Sequence, residues 1–187
     1  MYYDTISKQT VNNPIIFLGD SITARCEWPE MFASNKVLNR GIDADTTQGI
    51  LERIDSIIAM RPEKVFIMAG CNDLNSGVSK DEIIDNYREI LIEIKTGSPD
   101  TKIFVHSILP VNNDFRLANR VSNTASIPKV NEALQQLAKE QGATYINLYP
   151  LFAIEDKLDK KYTPDGTHLT WQGYLTWKNQ IEKYVLK

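Results

Sequence analysis

Apolar and polar positions along this chain follow two alternating rhythms. Nearly continuous apolar runs occur at 15–18, 36–39, 64–69, 102–109 and 144–148. Runs of this kind suit strands covered on both faces. Between them, apolar residues recur at helical spacing. Ile50, Leu51, Ile54, Ile57 and Ile58 share one helical face, with Pro62 following. Ile83, Ile84, Tyr87, Ile90, Leu91 and Ile94 form a second stripe. Ser79 and Glu82 have capping-box spacing at its start, and Gly97 with Pro99 closes it. A third stripe, Ile127, Val130, Leu134 and Leu137, ends at Gly142, and 171–185 reads as a C-terminal helix.

Strict alternation of strand and helix predicts an α/β protein with a parallel sheet and right-handed crossovers. The expected architecture is a three-layer α/β/α sandwich of about five strands in flavodoxin-like order. All strand carboxyl ends then lie along one edge. With no internal repeat, low-complexity tract or linker, the chain reads as one domain spanning 1–187.

Composition narrows the functional classes. The chain is 42% hydrophobic and 24% charged, ordinary for a soluble globular protein. A net charge of −3 gives no electrostatic reason to expect a nucleic-acid or anionic-membrane partner. No apolar stretch approaches the roughly 20 residues of a membrane span. Met1-Tyr2-Tyr3-Asp4 has neither a basic region nor an apolar core and does not read as a signal peptide. The expected location is cytoplasmic for a full-length chain, and exported if a leader has been trimmed. Cys26 and Cys71 lie far apart in no metal-ligand spacing and read as free thiols near or in the interior. Cys71, beside Asn72, is the better candidate for a reactive thiol, although nothing around it marks a nucleophile.

The unusual polar residues follow the strands. Gly19-Asp20-Ser21 ends the first run, Asn39-Arg40-Gly41 the second and Gly70-Cys71-Asn72-Asp73 the third. Asp165-Gly166-Thr167-His168 precedes the last helix, and His168 is one of two histidines. Taken singly, each has an ordinary reading: an N-cap serine, a turn, a hydrogen-bonded loop. A serine on a strand-to-helix turn, however, exposes its hydroxyl at the ligand-binding edge of an open sheet. A carboxylate and an imidazole are what such a serine needs to become a nucleophile.

In order and position these blocks resemble the SGNH hydrolases, or GDSL esterase/lipase superfamily, from Phe17 to the final helix. The stretch from Asn39 to Thr47, Leu109-Pro110 and Val130-Asn131 look most like the branch holding the catalytic subunits of platelet-activating-factor acetylhydrolase and related bacterial acetylesterases. The resemblance implies Ser21 as nucleophile, His168 as base and Asp165 as its partner. It implies an oxyanion hole from the Ser21 and Gly41 amides and the Asn72 side chain, with no metal and no cofactor. Relatives in the branch can pair as dimers, which makes a homodimer one arrangement to test. Asp43-Ala44 departs from the Gly-rich pair often seen after the block glycine, and the loop 111–126 matches no pattern.

The function this implies is hydrolysis of small acyl, above all acetyl, oxygen esters, with an acetylated carbohydrate as first substrate. A lysophospholipid or thioester substrate is the rival within the enzyme class. A non-catalytic carbohydrate-binding protein on the same fold is the rival outside it. A flavin or nucleotide binder is disfavoured because the first turn lacks a Gly-rich phosphate fingerprint, and an α/β-hydrolase because Gly-x-Ser-x-Gly is missing. Asp20 and Asp73 are expected to anchor their own turns. His106 reads as a core histidine with a satisfied hydrogen bond. Asp165 with His168 lacks the further clustered ligands a metal would want. Trp28, Trp171 and Trp177 read as packing residues, with Trp28 the one to check as a pocket wall. The lysines from Lys157 to Lys161 read as a solvated face.

Overall fold

A computed structural model describes residues 11–115 and 124–186. Five parallel strands form the sheet: β1 (Ile15–Gly19), β2 (Val37–Gly41), β3 (Lys64–Met68), β4 (Lys102–His106) and β5 (Thr144–Ile146). Their order is β2-β1-β3-β4-β5, the flavodoxin-like order expected from the pattern. The chain leaves β1 in one direction for β2 and then crosses back beyond β1 to β3. The switch point therefore falls between β1 and β3, where open sheets form their ligand crevice.

The two faces of the sheet bury different cores. On one face, Ile16, Leu18, Val65, Ile67, Ile103 and Val105 pack against α3 (Thr47–Glu52), α4 (Ile54–Ile58), α6 (Lys80–Gly97) and α7 (Ile127–Glu140). On the other, Phe17, Phe66 and Phe104 are register partners on adjacent strands and stack at 5.0 and 4.5 Å between centroids. Phe17 also stacks on Trp28 at 4.0 Å, and Trp177 meets Trp28 edge-on. Such ring pairs add about 0.5–1.5 kcal/mol each beyond buried area. Here the sheet is covered by α1 (Ser21–Ala24), α2 (Trp28–Met31) and α9 (Trp171–Val185). Trp28 is fully buried, so it is a packing residue and not a pocket wall.

Some elements differ from the expected ones, each for a visible reason. The stripe from Ile50 to Ile58 is split into α3 and α4 at Arg53, whose backbone leaves the helical range (φ −114°, ψ 9°). The fourth strand stops at His106, because its ladder with β5 ends at the His106–Ile146 pair. The buried residues beyond it are held by side chains instead: Asn131 accepts from the Ile108 N–H and donates to the Ile108 carbonyl. After β5, Ser107 Oγ accepts from the Leu148 and Tyr149 amides. The chain there turns into α8 (Tyr149–Phe152) and a hairpin, β6 (Ala153–Ile154) with β7 (Lys157–Leu158), elements the apolar pattern did not signal. Between Lys80 and Glu140 the helices keep close to the expected bounds, and Ser79 Oγ accepts from the Glu82 amide. Part of the 111–126 loop lies outside the described residues.

Candidate active site

Asp20, and not Ser21, caps the helix after β1. Its carboxylate accepts from the Ile22 amide at 2.9 Å. That leaves Ser21 as the first helical residue, with its hydroxyl directed away from capping. The helix can start this close to the sheet because position 19 is glycine. A β-carbon there would lie 2.3 Å from the Met68 carbonyl oxygen on β3.

The far end of the chain reaches Ser21 through α9. Tyr174 Oη donates to the Ile22 carbonyl at 2.8 Å, and Leu169, Tyr174 and Trp177 enter the same core cluster as Ile22. The loop before α9 is tied by its own bonds and by the Asn112 amide, which donates to the Gly166 carbonyl at 2.8 Å. Asp165 Oδ1 accepts from the Thr167 and His168 amides at 3.0 and 2.8 Å, and Thr163 Oγ1 accepts from the Gly166 amide at 2.8 Å. His168 Nδ1 lies 2.7 Å from Asp165 Oδ2, and His168 Nε2 lies 2.9 Å from Ser21 Oγ. With Nδ1–H facing the carboxylate, Nε2 offers its lone pair to the Ser21 hydroxyl. Burial pushes the Asp165 carboxyl up, but the bonds from the His168 ring and from the His168 and Thr167 amides together hold it below the ordinary carboxylate range.

The remaining expected site residues, Gly41 at the end of β2 and Asn72 after β3, lie at the same edge of the sheet. Asn72, on α5 (Cys71–Asn75), donates one Nδ2 hydrogen to the Asp45 carbonyl at 2.8 Å; an amide carries a second. The Gly41 amide is not turned to the site, because it donates to Asn39 Oδ1 at 2.9 Å. Asn39 in turn donates to the carbonyls of Thr23, Ala24 and Cys26 and so fastens β2 to the end of α1. Glycine at 41 is required by packing: a β-carbon would lie 2.3 Å from the Ala24 nitrogen and 2.8 Å from the Asp20 carbonyl oxygen. The expectation that Gly41 donates to an oxyanion is corrected accordingly. The next turn carries a residue other than glycine at positive φ. Asp45 N–H bonds to the Ile42 carbonyl, and Ala44 inside this turn holds φ +62°. Ala44 was not among the expected site residues; it belongs to Asp43-Ala44, the pair singled out as a departure from the family pattern.

A sequence model of the GDSL-like Lipase/Acylhydrolase family matches residues 17–175, from β1 into α9. The chain belongs to that family. It is a carboxylic ester hydrolase. The alpha1 subunit of platelet-activating factor acetylhydrolase IB from Bos taurus is 28% identical over 184 residues, covering 92% of this chain and 75% of the relative. A solved structure from Streptococcus pneumonia, which carries the working name of a platelet activating factor, is 30% identical with a TM-score of 0.89, covering 98% of this chain and 89% of that one. A GDSL-like lipase from Bacteroides thetaiotaomicron shares the fold, with a TM-score of 0.87 at 24% identity over 99% and 96% of the two chains.

Around this GDSL site the other expected residues take definite places. Asp73 is buried and holds the start of α3, accepting from the amide and hydroxyl of Thr47. Burial also raises the Asp20 carboxyl to about 7, helped by the charges of Asp45 and Asp73 and opposed by the Ile22 bond. Cys26 and Cys71 are free and buried. Burial pushes the Cys71 thiol up to about 12, with the carboxylates of Asp20 and Asp73 adding to it, which removes its nucleophilic character at neutral pH. His106 is fully buried, as expected, but its Nε2 has no hydrogen-bond partner among the described residues, and burial lowers the ring to about 3. Trp171 departs from the packing expectation: it is 64% exposed at the start of α9, three residues past His168. Lys157 and Lys161 pair with Asp114 and Asp159 at the surface. No described helix is long and apolar enough to cross a membrane. A cavity of about 490 Å³ lined by Arg61, Glu63 and Asp100 lies at the opposite edge of the sheet, away from this chemistry.

Proposed function

We propose that this GDSL-family hydrolase is a serine esterase that removes small acyl groups, acetyl first among them, from oxygen esters. The observation that carries the reading is the continuous line from Ser21 Oγ through His168 Nε2 and Nδ1 to Asp165 Oδ2, with contacts of 2.9 and 2.7 Å. In this reading Ser21 Oγ attacks the ester carbonyl carbon while its proton passes to His168 Nε2. Asp165 holds the ring tautomer and stabilises the imidazolium. The carbonyl oxygen becomes negative and is met by the amides of Ser21 and Ala44 and by Asn72 Nδ2. His168 returns the proton to the departing alkoxide, and the acyl-serine is then cleaved by a water that His168 deprotonates.

Two observations support the finer assignment. The curated relatives are acetylhydrolase subunits at 28% identity. The exposed Trp171 offers an aromatic face close in sequence to His168, suited to stacking against a sugar ring. The alcohol is accordingly assigned to an acetylated carbohydrate.

Hydrolysis of p-nitrophenyl acetate, butyrate and octanoate by the purified protein tests the acyl group. The acetate should turn over fastest, and a much faster octanoate reaction would overturn the small-acyl assignment. Ser21→Ala should abolish turnover with the melting temperature retained. Turnover that survives it would remove Ser21 from the mechanism. Release of acetate from acetylated oligosaccharides, read by mass spectrometry against lysophospholipid and thioester substrates, tests the alcohol.

A further inference from the structure

Arg53 stands outside the triad and the oxyanion donors, yet its guanidinium joins the segments that carry them. Nε and Nη2 donate to Asp45 Oδ2 at 3.0 and 2.7 Å. Nη2 also lies 3.0 Å from the Arg40 carbonyl oxygen at the end of β2 and 3.4 Å from that of Gly19 at the end of β1. The break between α3 and α4 falls on this residue, next to the strand ends it reaches. Asp45 passes the restraint on. Its carbonyl receives Asn72 Nδ2, its N–H closes the turn that holds Ala44, and its Oδ1 accepts from the Thr46 amide. Its pose also requires glycine at 49, where a β-carbon would lie 2.1 Å from Asp45 Oδ1.

The two side chains are only 16% and 9% exposed. A pair so far from solvent is held more rigidly than a surface bridge, and losing one partner strands a buried charge. A planar guanidinium can hold a carboxylate and strand carbonyls together. An ammonium is a single point charge without that fork.

We propose that Arg53 is a positioning residue for ester hydrolysis: through the Asp45 carboxylate it sets the Asp45 carbonyl, and that carbonyl aims the Asn72 amide at the developing oxyanion. The proposal rests on the reading of Asn72 as an oxyanion donor. An interaction made only with the transition state appears in kcat rather than in KM.

The test is a double-mutant cycle of Arg53→Lys with Asn72→Ala, assayed on p-nitrophenyl acetate for kcat and KM, with melting temperatures for all four proteins. Arg53→Lys should lower kcat on the order of tenfold while KM stays within about threefold. In the Asn72→Ala background the same substitution should change kcat by less than about twofold, because the route it acts through is gone. A purely structural role would lower kcat by the same factor in both backgrounds, and that result overturns the proposal. So does a folded Arg53→Lys enzyme with undiminished kcat. Should Arg53→Lys fail to fold, Asp45→Asn runs the same cycle with the same expected and overturning outcomes. An Asn72→Ala enzyme that keeps full kcat overturns the reading of Asn72 and the proposal with it, whereas equal losses in both backgrounds overturn the proposal alone.

Discussion

The two halves of the candidate active site are built in opposite ways. The His168 half is largely local: the bonds on the Asp165 carboxylate come from within Thr163 to His168, and the Asn112 amide, donating to the Gly166 carbonyl at 2.8 Å, braces the loop from outside. The Ser21 half is assembled from segments after β1, β2 and β3, and Arg53 bonds to the ends of two of those strands. A local device holds its geometry as long as its own loop is intact. An assembled one depends on strand register and on polar groups buried between strands. The first should respond to mutation in turnover with little loss of stability, and the second in both.

The largest expected effect tests the local half. Asp165→Asn leaves an oxygen for the Thr167 and His168 amides but removes the charge facing His168 Nδ1. Turnover of p-nitrophenyl acetate should fall by roughly 10³–10⁴-fold, as for other triads deprived of the charge that fixes the histidine tautomer. The melting temperature should move by only a few degrees, since the loop bonds survive. A variant with turnover within about threefold of the parent would leave Asp165 as a loop anchor alone.

Acidity separates the halves next, because their carboxylates are shifted in opposite directions. Asp165 is held below the ordinary range, so its contribution to stability is present above the unfolded value and is lost only as pH falls through its lowered folded value. Asp20 is raised to about 7 by burial. Between the unfolded value of 3.8 and about 7 the folded protein holds this proton more tightly than the unfolded chain does. Stability from this group is therefore full below that window and declines as pH rises through it. Asp20→Asn keeps an acceptor for the Ile22 amide but removes the titration. Urea midpoints of parent and Asp20→Asn, compared at pH 5 and pH 8, should show the parent losing stability relative to the variant as pH rises. His106, lowered to about 3 by burial, works with the opposite slope between its folded value and 6.5, but it is common to both proteins and cancels in the comparison. Parallel pH curves would mean that Asp20 stays charged in its buried place.

The same contrast marks how far the site was legible in the sequence. The local half could be read directly, since Asp165 and His168 are close in the chain and their bonds are short-range. Strand positions were legible too, because burial on both faces leaves continuous apolar runs such as Ile15–Gly19 and Lys64–Met68. The assembled half was legible in residue types but not in roles. Gly41 reads as an amide held open for a ligand, and only the placement of Asn39 and Ala24 shows that amide occupied and the glycine required by packing. Asp73 reads as an anchor, but its partner, Thr47, lies beyond another strand crossover. The helical stripe from Ile50 to Ile58 hides a break at Arg53, whose side chain reaches strand ends distant in sequence. Trp171 reads as core by its chemistry, and nothing local says that α9 turns its first residue outward.

The smallest expected effect is the sharpest test of the comparison, because each half contains a turn residue at positive φ next to its chemistry. The local loop uses glycine, Gly166 at φ +90°, while the assembled half uses alanine, Ala44 at φ +62°. An L side chain pays a steric cost in that region that glycine avoids. Ala44→Gly should therefore stabilise the protein by about 1 kcal/mol or less, the relief of strain being partly offset by the freer unfolded chain. Turnover should stay within about threefold, because the amide at 44 remains and only the β-carbon is lost. Gly166→Ala should do the reverse, lowering the urea midpoint and displacing the Asp165 carboxylate with it. If Ala44→Gly lowered both stability and kcat, the alanine side chain would be holding the turn, and its amide would owe its aim to packing rather than to the backbone angle.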